Sequence, residues 1–117
     1  MHVTMRNIAT AVLMLTWIES ASAAPIPEHD VERACSTLVD RTLVAACIRS
    51  EQSNYDYVKS IWPALSSQRQ TLCSKFSEDL GANYYAFYKA LANFVSAQAE
   101  AERVDRDSSG PTPRFRR

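Results

Sequence analysis

Between Leu43 and Cys73 the apolar side chains return every three or four residues, and that rhythm commits the middle of the chain to helix. Val44, Cys47, Ile48, Tyr55, Val58 and Trp62 fall on one broad face, with Glu51 inside the same stripe. Nowhere does the sequence alternate apolar and polar residues as a half-buried strand would. It contains no convincing internal repeat.

Four helices are expected. Pro27 suits the approach to a first turn, the acids Glu28, Asp30 and Glu32 favour a helix start, and Val31, Cys35 and Leu38 repeat over about three turns. Asp40 or Thr42 can cap the long second helix, which runs to about Trp62 and stops at Pro63. Ser66 or Ser67 caps a third, whose buried face draws on Leu65 or Arg69, Leu72, Cys73 and Phe76. Gly81 closes it in a left-handed conformation, and Asn83 can start the fourth. In that last helix Tyr84, Phe87, Tyr88, Leu91, Phe94, Val95 and Gln98 recur at helical steps among helix-favouring alanines. Short connections favour antiparallel neighbours. The fold class is therefore all-α, a small bundle of two α-hairpins that pair helix one with two and three with four.

The first 23 residues read as a secretory signal peptide. Arg6 precedes an apolar run from Ile8 to Ile18, too short to span a bilayer, which takes roughly 20 apolar residues. Ala21-Ser22-Ala23 then fits the small-x-small pattern of a cleavage site, placing the cut between Ala23 and Ala24. No lipobox-type cysteine sits at the cut itself, which argues against a lipoprotein. Residues 24–107 make the helical domain and 108–117, ending Arg114-Phe115-Arg116-Arg117, a disordered basic tail. The expected location is secreted or periplasmic, with no transmembrane segment left after cleavage. Removing 23 of the 117 residues leaves 94, a size at which a core alone gives marginal stability and a covalent staple is expected.

Three cysteines, Cys35, Cys47 and Cys73, lie in the exported part, where thiols can oxidise. Cys35 and Cys47 flank the turn between two antiparallel helices, so a bridge between them would pin the first hairpin. Cys73 is then a buried free thiol, or the link of a covalent dimer in place of a monomer; the next choice of intramolecular pairing is Cys47 with Cys73. The spacing lacks the close cysteine pairs of a metal site, and one histidine near the N-terminus, His29, does not make a catalytic pair with a distant thiol. No cofactor is expected. Glu51 is a buried polar candidate, either a general acid or a structural carboxylate held by Lys59, Arg69 or a tyrosine hydroxyl. Glycosidase-type chemistry needs a second, properly placed carboxylate, and Asp56 points off that face, which favours the structural role. Tyr57 and Tyr85 fall off the apolar stripes and are candidates for a partner surface. The formal charge is zero, which argues against nucleic acid as the partner.

Two resemblances bear on function. The run Cys47-Ile48-Arg49-Ser50-Glu51-Gln52-Ser53-Asn54-Tyr55-Asp56, with Lys59, Trp62, Arg69 and Cys73, resembles small exported alphaproteobacterial proteins of unknown function that read C-x₃-EQ-x₂-Y-x₃-K-x₂-W. In Asn83-Tyr84-Tyr85-Ala86-Phe87-Tyr88-Lys89-Ala90-Leu91, Ala90 stands where that family has its fourth cysteine, which implies that Cys73 has lost its partner. Arg69-Gln70-Thr71-Leu72-Cys73 is also similar to the R-x₃-C ending of lysozyme-inhibitor-like proteins of the LprI type, although Trp62 comes too early for their usual pattern. The function expected is that of a non-catalytic binding or structural module of the cell envelope, not an enzyme, acting through an unknown protein partner. The alternative is an inhibitor of lysozyme or another hydrolase.

Overall fold

The computed structural model of the chain describes residues 23–108 and 114–117. Residues 1–22 of the expected signal peptide and 109–113 of the expected tail lie outside them. The described residues form four α-helices and no strand: α1 (Val31–Cys35), α2 (Arg41–Ile61), α3 (Ser67–Glu78) and α4 (Phe87–Asp107).

The expected three-turn first helix is only five residues long. Asp30 caps it by accepting from the Arg33 amide at 3.1 Å, but Ser36 and Thr37 then turn their hydroxyls back onto the carbonyls of Arg33 and Ala34. Such side chains offer the backbone an alternative to continued helix, and the chain turns out of α1 there. Asp40 starts α2 by accepting from the Thr42 amide at 2.8 Å. Pro63 does not end the helical path abruptly: Trp62–Ala64 tighten into a 3₁₀ turn whose first positions need no N–H from the proline. Leu65 is then extended, and Ser66 caps α3 at the Arg69 amide. Gly81 takes φ +86°, the left-handed conformation that a side chain would strain.

Pairs of contacting residues fix the helix directions. Cys47 Sγ lies 3.4 Å from the Tyr85 carbonyl oxygen and the Tyr55 ring packs edge-on to that of Tyr88, so α2 and α4 run parallel. α3, which follows α2 in sequence and packs on α4, runs the opposite way, with the Ser66 amide on Glu102 and Phe76 stacked on Phe94 at 4.3 Å. The expected pairings of α1 with α2 and α3 with α4 are present, and the most extensive packing is that of α2 on α4.

The core is built from Val58, Trp62, Leu65, Cys73, Phe87, Tyr88, Leu91, Ala92 and Val95. In α3 the buried residues are Gln70, Cys73 and Ser77, while Leu72 is 44% exposed and does not belong to the inner face. Leu72 and Cys73 are adjacent, about 100° apart around the helix, and only one can point at the core. Tyr84, expected on the inner face of the fourth helix, is exposed, because the helix begins three residues later.

Candidate functional site

The backbone amides at the start of α4 have no local acceptor. Ala86 sits at the cap position and carries no hydrogen-bonding side chain, and Asn83 is not part of the helix. The acceptor comes from α2 instead. Glu51, only 2% exposed, receives the Tyr88 amide on Oε1 at 2.7 Å and the Lys89 amide on Oε2 at 3.0 Å. It therefore caps a helix 37 residues along the chain, with charge-assisted bonds to two groups that a local cap would otherwise serve. Lys59, Arg69 and a tyrosine hydroxyl, the partners expected from sequence, are not its partners. Arg69 is occupied elsewhere, on Gln98 Oε1 at 2.8 Å and on the carboxylates of Glu102 and Asp105.

Beside Glu51 opens a groove of about 790 Å³. Tyr55, Tyr88, Ile48 and Glu51 line it, and Glu28, Asp30 and Glu32 stand along its N-terminal side. Tyr88 is fixed there by donating its hydroxyl to the Pro27 carbonyl at 2.8 Å; burial, then the neighbouring Tyr55, push its pKa up to about 12. The groove is open to solvent and combines aromatic faces with carboxylates, surroundings that suit a cationic group.

Tyr57 and Tyr85 are both exposed, at 40% and 49%, but they do not form one surface. Tyr85 lies by the start of α4 with Leu43 and Lys89, whereas Tyr57 lies with Arg103 and Arg106 near its end. The parallel arrangement of α2 and α4 separates them.

Cys35 and Cys47 form a disulfide with sulfurs 2.02 Å apart, tying α1 to α2. Cys73 is free and fully buried, so a Cys73 link between two copies would require the core to open. Burial pushes its pKa up to about 11. His29 is docked, not loose: its Nε2–H donates to the Tyr84 carbonyl at 2.8 Å and its ring stacks 4.1 Å from that of Phe87. Among the described residues no group of three or more His, Cys, Asp or Glu side chains could hold a metal ion, and no helix is long and apolar enough to cross a membrane.

The buried thiol makes a direct test of packing. Native protein is expected to resist alkylation at Cys73 and to react only after denaturation; rapid labelling without denaturant would contradict the sealed core. Alkaline stability follows from the same burial. The thiol ionises near 9 when unfolded and about 11 when folded, so its contribution is intact below pH 9 and falls away as pH rises to 11. Tyr88 adds a loss of the same sign between 10 and 12. Denaturant midpoints should fall over this range, and Cys73→Ala should make the early part of the fall shallower.

Glu51 was visible in sequence as a polar residue in an apolar stripe, but the amides it serves were not. The docking of the Ala24–His29 stretch on Gln70 and Trp62 has no sequence signal beyond a polar residue at helical spacing from Cys73. No protein-family model, curated protein or solved structure matches this chain.

Proposed function

We propose that this chain is an exported, non-catalytic module of the cell envelope that acts by binding, through the groove between the Glu28–Glu32 stretch and α2. The observation that carries this reading is the commitment of the reactive side chains to the fold. Glu51 is held on two amides, His29 on a carbonyl and an aromatic ring, and Cys73 is sealed in the core. What remains accessible is a surface of recognition. The Cys35–Cys47 disulfide supports an oxidising compartment, as the resemblance to small exported proteins implies.

The acid-lined groove favours a second reading, inhibition of a basic hydrolase such as a lysozyme. The two are separated by one preparation. Non-reduced exported protein should have the mass of a monomer beginning at Ala24, with a single thiol that alkylates after denaturation. Three alkylatable thiols, or a chain retaining residues 1–23, would remove the export reading. Stoichiometric protection of cell wall from lysozyme would establish the inhibitor reading, and full lysis at tenfold excess of the protein would exclude it.

A further inference from the structure

The stretch from Ala24 to His29 has no regular secondary structure, yet it is held along its length. Ile26 packs on the core, the Pro27 carbonyl accepts from Tyr88, and His29 rests on Phe87. At its start the backbone of Ala24 enters a closed ring of hydrogen bonds. The Ala24 amide donates to Gln70 Oε1 at 2.9 Å, Gln70 Nε2 donates to the Trp62 carbonyl at 2.9 Å, and the Trp62 indole Nε1–H donates to the Ala24 carbonyl at 2.6 Å. The ring fixes the orientation of the Gln70 amide, since a carbonyl on one side demands its NH₂ and an N–H on the other demands its oxygen.

Gln70 and Trp62 are 3% and 5% exposed. Without Ala24 an amide oxygen and an indole N–H would be left unpaired in the interior, each at a desolvation cost. These two side chains therefore form a built receptor for the backbone of one residue. That residue is the one on the C-terminal side of the expected cut.

We propose that Gln70 and Trp62 form the docking site for the amino terminus released by cleavage after Ala23, and that docking shields the Ala23–Ala24 bond, so that processing must precede folding. The proposal rests on the export reading. Hydrolysis adds one water across that bond, leaving a carboxylate on Ala23 and an ammonium on Ala24. One N–H of the ammonium keeps the Gln70 oxygen as a charge-assisted bond and the others face solvent, as the half-buried position of Ala24 permits. A peptidase, by contrast, engages its substrate in extended form through the backbone groups flanking the cut. In the folded chain the N–H and C=O of Ala24 both point into the body, and cleavage must wait for them to be released.

The test uses the full-length precursor in detergent with a purified signal peptidase. Three samples are compared: folded precursor, precursor that has been reduced and alkylated so that it cannot rebuild the core around Cys73, and folded precursor with Ala-Pro-Gly-Ser inserted between Ala23 and Ala24. The insertion keeps the local cleavage sequence and leaves Ala24 to dock. Cleavage after Ala23 is expected to be at least about tenfold slower in the folded precursor than in either of the others, because it tracks the population of the open form. Equal rates in all three, or a folded insertion variant as slow as the folded parent, would overturn the proposal. If even the unfolded precursor is not cut after Ala23, the export reading fails and takes the proposal with it.

Discussion

Glu51→Ala is expected to be the most damaging single substitution in this chain, lowering stability by about 3–5 kcal/mol and leaving the start of α4 frayed. The reason is an asymmetry. The mutation removes two charge-assisted bonds and abandons the amide of Tyr88, a residue only 4% exposed, together with the part-buried amide of Lys89. Glu51→Gln keeps the shape but puts an NH₂ against one of those amides, and should cost about 2 kcal/mol. Urea unfolding followed by far-ultraviolet circular dichroism would measure both. If the carboxylate instead served chemistry, Glu51→Gln would leave the midpoint unchanged, and that result would reverse the structural assignment. For a domain whose whole stability is about 5–15 kcal/mol, the alanine variant is a serious loss.

The second large effect is expected from the disulfide. Opening the 12-residue separation between Cys35 and Cys47, by reduction or by replacing both with serine, should lower stability by about 3 kcal/mol. The loss should appear first at α1 and the Ala24–His29 stretch, because α1 is a five-residue helix that would not persist without an anchor. A reduced protein with an unchanged thermal midpoint would show that the aromatic contacts of His29 and Tyr88 suffice to hold that side of the bundle. Measuring the midpoint with and without reductant, with Cys73 already removed, isolates the bridge from the buried thiol.

These two effects sit at opposite limits of what sequence could reveal. The face of α2 was legible because spacing alone places Val58 and Trp62 together, and both are buried. Leu91 and Val95 were legible in α4 for the same reason. The start of α4 was not, because a cap normally lies beside the helix it serves, and here it lies on another helix. Leu72 misled because neighbouring residues compete for one face of α3. The docked Ala24–His29 stretch has no periodicity to read: its order comes from Gln70, Trp62 and Tyr88, each remote in sequence. Tyr57 and Tyr85 looked equivalent as off-stripe aromatics, and only the relative direction of α2 and α4 separates them.

That direction also has an electrostatic consequence. Two 21-residue helices side by side align their macrodipoles, placing two partial positive charges at one end of the bundle and two partial negative charges at the other. The antiparallel α3 on α4 opposes them, and Asp40 and Glu51 add negative charge where the positive ends emerge. At the far end the acids share cations: Glu100 and Asp107 both pair with Arg103, and Glu102 and Asp105 with Arg69. Around the groove, Glu28, Asp30 and Glu32 have no such ion pairs among the described residues, although the chain as a whole is formally neutral. These carboxylates act locally: a cation within the groove feels them, and salt at about 0.1 M screens their pull beyond about 10 Å.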